Sequence, residues 1–190
     1  MTIDAVFGSP LPDLAVVGVT HELRSFQAGD AHVVAEASSD SLIPLITTVP
    51  ANYSDEEGLA FVNRQHHRRA AGEGWSLAIV HKDRQLAVGQ IGLWISHLHK
   101  GRAEIGYWVA ESGRGLGAAA EAVELLAAWA FANLTVNRLS LFIEPWNTAS
   151  IKTAEHAGFD REALLRNWES VGGMPKDMWS YVKLPPAPAD

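Results

Sequence analysis

Between a strand-like run from Ala103 to Ala110 (AEIGYWVA) and an alanine-rich helical run from Ala118 to Asn133 lies the turn Arg114-Gly115-Leu116-Gly117-Ala118-Ala119. A strand that passes through two glycines into a helix N-terminus leaves several backbone N–H groups without an intrahelical partner. They converge on one spot, where the helix dipole also favours negative charge. The turn is therefore suited to a phosphate or pyrophosphate.

The chain around it fits one soluble domain. It has 190 residues, 47% hydrophobic and 19% charged, enough for a substantial core. We expect a single domain over 1–183 and a disordered tail over 184–190, whose prolines bar it from a sheet interior. There is no cysteine, which excludes a disulfide framework, a thiolate metal site and a cysteine nucleophile. The N-terminal MTIDAVFGSPLPD lacks the basic start and continuous apolar stretch of a signal peptide, and no run approaches the roughly 18 apolar residues of a membrane span. A cytoplasmic location with no membrane partner is expected.

Acidic residues outnumber basic ones by 22 to 15, for a formal charge of −7. That balance disfavours a nucleic-acid backbone as ligand and suits a cationic acceptor such as an amine. The basic run His66-His67-Arg68-Arg69 falls late in a predicted helix, where cations complement the dipole, and reads as a solvated helix end.

Strands and helices alternate along the chain. Val16 to Phe26 reads as a first strand, and Asp30 to Ser38 as a helix capped by Asp30. Ser54-Asp55-Glu56-Glu57 is a capping box opening a helix to about Gly72. Trp75 to His81 and Gln85 to Ile95 form a hairpin about Lys82-Asp83-Arg84, and Arg102 to Ala110 is the fourth strand. The long helix after the glycine turn carries charge only at Glu121 and Glu124, on one face, so most of its surface should be buried. Arg138 to Glu144 is a fifth strand and Thr148 to Ala157 a helix ended by Gly158. Strands at Asp160 to Ser170 and Asp177 to Val182 flank the turn Gly172-Gly173.

Several ligands suit such a turn. A Walker-type loop would need Gly-Lys-Ser/Thr, which is absent. Gly115-Leu116-Gly117-Ala118-Ala119-Ala120 also fits the dinucleotide pattern G-x-G-x-x-A, but no acidic residue lies near Asn133 to Thr135, where the ribose contact would fall. A plain strand-to-helix connection remains open as well.

Further residues carry a resemblance. His21-Glu22-Leu23-Arg24, Gly89 and Gly92, Ala103-Glu104-Ile105-Gly106-Tyr107-Trp108, the turn itself, Glu144-Pro145-Trp146-Asn147-Thr148-Ala149-Ser150, Ala157-Gly158-Phe159 and Asp177-Met178 follow one another in an order and spacing that are specific together. From about Thr20 to Tyr181 the chain resembles the GNAT superfamily of CoA-dependent N-acyltransferases, in the branch of ribosomal-protein N-terminal acetyltransferases of RimJ/RimL type.

The resemblance implies an α/β (α+β) fold: a central mixed, mostly antiparallel seven-stranded sheet, splayed between the fourth and fifth strands and flanked by about four helices. It implies acetyl-CoA, or another acyl-CoA such as succinyl-CoA, as co-substrate, with no metal. Its pyrophosphate would lie on Arg114, Gly115, Leu116, Gly117, Ala118 and Ala119, and its pantetheine arm would pair with backbone at Trp108, Val109 and Ala110. Asn147 would contact that arm, and Ser150 would stand near the thioester sulfur. Asn147 also reads as a plain helix N-cap and Ser150 as an ordinary first-turn serine. Ala120 stands where the family often has a hydroxyl, and Ser150 where many relatives have tyrosine.

The chemistry needs a neutral amine. An α-amine with pKa near 8 is about one-tenth neutral at pH 7, whereas a lysine near 10.4 is neutral in about one molecule in 2,500. Glu104, which matches the glutamate of the motif, is the candidate base, working through a water; its alternative is a strand glutamate paired with Arg102 or a cross-strand cation.

Seven tryptophans are many for this length. Trp129 is expected in the core; Trp94, Trp146 and Trp168 suit the acceptor's surroundings, the core or the contacts of a homodimer or higher homo-oligomer. The His97-x-His99 pair lacks a third ligand, so no metal is expected. The chain thus reads as an enzyme transferring an acyl group to a primary amine of a protein N-terminus or small molecule. The competing readings are a non-catalytic CoA-binding module and a dinucleotide-binding protein.

Overall fold

The computed structural model describes residues 3–186. Among these, eight strands form one sheet: β1 (Val16–Val17), β2 (His21–Ser25), β3 (Gly74–His81), β4 (Leu86–Trp94), β5 (Arg102–Val109), β6 (Arg138–Ile143), β7 (Asp160–Val171) and β8 (Met174–Lys183). Their order across the sheet is β1-β2-β3-β4-β5-β6-β8-β7, and every neighbouring pair is antiparallel except β5 with β6. The helices are α1 (Ala31–Ser38), α2 (Ile43–Ile46), α3 (Asp55–Ala70), α4 (Ala118–Asn133) and α5 (Thr148–His156).

The eighth strand arises because the predicted run from Val16 to Phe26 is folded on itself. Gly18 N–H donates to His21 O at 2.8 Å, and Val16 pairs back on Leu23. A Cβ at Gly18 would press on Leu125 of α4, 2.7 Å away, so the turn needs glycine for close approach. The predicted hairpin turns at Lys82-Asp83-Arg84 and Gly172-Gly173 are both formed. The expected disordered tail, 184–190, falls outside the described residues from 187 onward, and Leu184, Pro185 and Pro186 carry no regular structure.

Two helix starts show how side chains decide. Ser54 Oγ accepts from Glu57 N–H at 3.1 Å, a cap worth about 1 kcal/mol. Asp30, in contrast, does not cap α1. Its buried carboxylate accepts from Gln27 N–H at 2.7 Å and takes the Arg24 guanidinium through both oxygens, at 2.7 and 3.0 Å. The partly buried cation on β2 outcompetes the helix end.

The sheet separates two apolar layers. On one face α4 buries Ala118, Ala122, Val123, Leu126, Ala127 and Ala130 against Leu77, Ile79, Ile91, Leu93 and Ile105. On the other, α1 and α3 bury Val33, Val34, Phe61 and Val62 over Ala78, Val80 and Trp108. Trp129, expected in the core, is half-buried at its edge and packs from α4 onto Trp75 with ring centroids 5.1 Å apart. Of the two helix glutamates, Glu121 reaches into the sheet edge: Oε2 lies 2.7 Å from Nδ1 of fully buried His21 and Oε1 accepts from Thr20 N–H.

Candidate active site

The decisive geometry lies at the one parallel junction. β5 and β6 pair only at Arg102–Arg138, Ala103–Leu139 and Glu104–Ser140. Beyond Glu104 they diverge. The opening leads to a cleft of about 520 Å³, walled by β5 from Glu104 to Trp108, by β6 from Leu141 to Ile143 with Glu144 just beyond it, by the segment Leu42 to Thr48, and by Glu169 to Val171 near the tip of the β7–β8 hairpin.

At the end of β5 the chain passes through Ala110 and a short turn, Glu111–Gly113, into the glycine-rich segment. Gly115 and Gly117 both have left-handed backbone, φ +75° and +73°, and a Cβ on either would meet nothing within 4 Å. These glycines are set by conformation and leave open space above the turn. Glu121 N–H is the first helical donor, to Gly117 O. Among the described residues, no acceptor outside α4 takes the N–H groups of residues 115–120. Unpartnered amides at a helix start of sixteen residues form an anion-binding geometry.

The predicted site residues divide accordingly. Glu104, Trp108, Asn147 and Ser150 come together on the cleft, while Gly115, Leu116, Gly117, Ala118 and Ala119 form the turn outside its lining. Arg114 stands in the turn, but its Nη2 donates to Asp40 Oδ2 at 2.5 Å and its Nε to Val109 O at 3.2 Å. Ala110 N–H donates to Val88 O and its carbonyl accepts from Gly113 N–H at 3.0 Å, while Val109 O takes Arg114 Nε, so both backbone groups of Ala110 and the carbonyl of Val109 are engaged within the protein. Asn147 caps α5, its Oδ1 accepting from Ser150 N–H at 3.1 Å. The capping reading holds, and the same residue still borders the cleft. Glu104 forms no ion pair among the described residues, with Arg102 or any other cation.

Three residues that sequence reasoning had not assigned to the site join it. Tyr107 lines the cleft with its hydroxyl 3.5 Å from Ser150 O; burial pushes its phenol above the usual value, against the hydrogen bonds of Ser150 and Thr153. Glu169 faces the same space. Loss of water holds its carboxyl above the ordinary range, and the Glu104 carboxylate adds to the effect. Arg68, expected to be solvated, instead lies over the ring of Trp94, 4.9 Å from its centroid, in the cleft wall. Its neighbour Arg69 also turns inward, donating to Leu11 O at 2.9 Å. The helical position of these residues was visible; which face α3 presents to the sheet was not. Trp146 and Trp168 are exposed, Trp168 lying tilted against Phe142 with ring centroids 5.1 Å apart. Among the described residues no cluster of metal-ligating side chains occurs, His97 and His99 included, and no helix is long and apolar enough to cross a membrane.

Residues 21–160 match the family model described as an acetyltransferase (GNAT) domain. The chain belongs to the GNAT acetyltransferase family. It is 28% identical over 162 residues to the uncharacterized N-acetyltransferase p20 of Bacillus licheniformis, covering 85% of this chain and 91% of that protein. Among solved structures it superposes on RimJ of Mycobacterium smegmatis in complex with CoA-disulfide, with a TM-score of 0.75, 21% identity, and 94% and 88% of the two chains covered. It also superposes on the ribosomal-protein-S5-alanine acetyltransferase of Vibrio fischeri, with a TM-score of 0.74, 18% identity, and 90% and 97% covered. The GNAT fold is thereby shown: a mostly antiparallel sheet opened between two parallel strands and flanked by helices. By family the protein is a CoA-dependent acetyltransferase, an enzyme of acyl transfer from acetyl-CoA.

Proposed function

We propose that one acyltransferase domain spanning 1–183 transfers the acetyl group of acetyl-CoA to the primary amine of a protein N-terminus or a small molecule, by direct attack in a ternary complex. The observation that carries this reading is that the unpartnered amides of the glycine turn open beside the β5–β6 gap, which leads to a cleft bearing Glu104 and Ser150. The amides of residues 115–119 bind the pyrophosphate, and the helix dipole of α4 favours its charge. The pantetheine arm enters the gap along Trp108, Val109 and Ala110 as a strand would.

In the reaction the amine nitrogen bonds to the thioester carbonyl carbon, the C–S bond breaks, and a proton leaves the amine. Glu104 takes that proton through a water. The sulfur leaves as thiolate and takes a proton through the Ser150 hydroxyl, which is resupplied from solvent, while the proton taken up by Glu104 returns to solvent. Cytoplasmic acceptors, and a homodimer or higher homo-oligomer, fit this reading. Succinyl-CoA or another acyl-CoA would enter by the same route, as the turn reads only the CoA end.

Initial rates of CoA thiol release with acetyl-CoA and a panel of amines, with product masses measured, test the proposal. Intersecting double-reciprocal lines and an N-acetylated product are expected. Tight CoA binding with no amine turned over would leave a non-catalytic CoA-binding module instead.

A further inference from the structure

We propose that Arg68 is an anion-recognition residue of the acceptor cleft, so that the amine acylated here also carries a carboxylate or phosphate group. The inference rests on the proposed acyl transfer for the identity of the cleft, and on Arg68's surroundings for the rest.

Arg68 is a guanidinium set on a built platform. Gly92 and Gly106 are cross-strand partners on β4 and β5, and together they leave the sheet bare. The indole of Trp94 lies over them: a Cβ on Gly92 would stand 2.5 Å from its ring, and one on Gly106 3.5 Å from its Nε1. Arg68 stacks on that ring from above. One of its donors, Nη1, binds Gln65 Oε1 at 3.0 Å.

Gln65 is itself fixed from beneath by a buried chain of hydrogen bonds. Its Oε1 also accepts from Ser76 Oγ at 2.9 Å, Ser76 Oγ accepts from Gln90 Nε2 at 2.7 Å, and Gln90 Oε1 accepts from Trp108 Nε1 at 2.6 Å. Gln65, Ser76, Gln90 and Trp108 are 2%, 6%, 6% and 5% exposed, so the chain runs through the core from the CoA strand to the cleft wall. A satisfied buried network of this kind holds its members to one arrangement. It commits a polar line through an apolar layer to orient one cation.

That cation is left without a counter-ion. No carboxylate forms an ion pair with Arg68 among the described residues, although Glu104, Glu144 and Glu169 line the same cleft. Loss of water draws the guanidinium below its usual value and Arg64 adds to this, against a partial pull from Glu73. A half-buried cation with most of its five donors unused gains from an incoming oxyanion that accepts two of them. Trp94 is the cross-strand partner of Glu104, so the anion end of a ligand would sit one platform away from the amine end. The cleft is thus bipolar, carboxylates toward the thioester and a guanidinium at the far wall.

Binding of product-like probes to the CoA-loaded protein tests this. N-Acetylglycine, N-acetylated phosphoethanolamine and N-acetylglycinamide are titrated by calorimetry into the wild type, Arg68→Gln and Arg68→Lys. One of the two anions should bind roughly tenfold or more tightly than the amide, and which one identifies the group. Arg68→Gln should reduce that anion to the level of the amide while leaving the amide and CoA unchanged, and Arg68→Lys should retain part of the preference as a point charge. Equal or undetectable binding of all three by the wild type would overturn the proposal without any variant. Selectivity that survives in Arg68→Gln, or a variant that weakens amide and CoA alike, would assign Arg68 to packing. Anion selectivity in a protein that acetylates no amine would count against the proposed function and not against this site; acetylation without selectivity would do the reverse.

Discussion

Arg114 and Asp40 join the glycine turn to the wall of the acceptor cleft. Arg114 Nη2 lies 2.5 Å from Asp40 Oδ2, while Asp40 Oδ1 accepts from the N–H groups of Leu42 and Ile43, at 2.8 and 3.0 Å, and so starts α2. Burial opposes the charge of Asp40, but Arg114 and those two amides hold its carboxyl below the ordinary range. Removing it in Asp40→Ala should free the segment 42–48 and raise the acceptor KM about fivefold, matching the loss of a cap of about 1 kcal/mol. Its contribution to stability is present above the ordinary carboxylate pKa and is lost as pH falls through the depressed one. Wild type and variant should therefore converge in thermal stability in acid, measured by melting at pH 7 and pH 3.

Glu104→Gln should lower kcat/KM about 10²-fold or less for an α-amine acceptor and more for a lysine, because the neutral fraction differs so widely. The deficit should shrink as pH rises and free amine becomes plentiful. Rate–pH profiles on both acceptors check this, and a loss independent of pH would make Glu104 a positioning group.

Ser150 and Tyr107 compete for the role of proton donor. If Ser150 protonates the thiolate, Ser150→Ala should depress kcat and kcat/KM about equally, and Tyr107→Phe should have a smaller effect. If Ser150 only begins α5, its loss should cost about 1 kcal/mol or less of stability with little kinetic change. Single-turnover rates of both variants separate the two, since they are independent of CoA release.

The pair His21–Glu121 fastens the first turn of α4 to the sheet. Burial opposes the Glu121 charge, and His21 with the amides of Thr20, His21 and Val19 more than offsets it, so the carboxyl is held below the ordinary range. Glu121→Gln should cost about 1–3 kcal/mol at pH 7 by leaving buried His21 poorly paired. The sign follows from the depressed pKa: the carboxylate's contribution is present above about pH 4.3 and fades as pH falls through the folded value. Urea unfolding at pH 7 and pH 3.5 should show a penalty at the first and little at the second.

Much of this was legible in the chain. Residues 103–133 specify strand, turn and helix by local rules alone, and the family resemblance carried by the ordered motifs around them implied the opening between the strands at 102–110 and 138–144. What escaped was set by contacts between distant segments. Gly18 breaks a strand because α4 crowds it, Asp30 abandons its helix because Arg24 engages both its oxygens, and Arg68 turns onto the cleft wall because Gly92 and Gly106 make room for Trp94. Glu169 lies 65 residues from Glu104 in sequence, and only the β7–β8 hairpin brings it to the same cleft. Periodicity marks which residues form an element; it carries no record of which neighbour an exposed-looking charge will meet.

Calorimetric titration with acetyl-CoA and NAD, on the wild type and on Gly117→Val, tests the central claim most directly. Gly117 has left-handed backbone with open space where a side chain would project, so valine strains the turn and intrudes where the pyrophosphate would lie. Binding of acetyl-CoA at one site, no binding of NAD, and a loss of roughly tenfold or more in a folded Gly117→Val protein are expected. Binding of NAD, or unchanged acetyl-CoA affinity in the folded variant, would contradict the assignment of the turn to CoA.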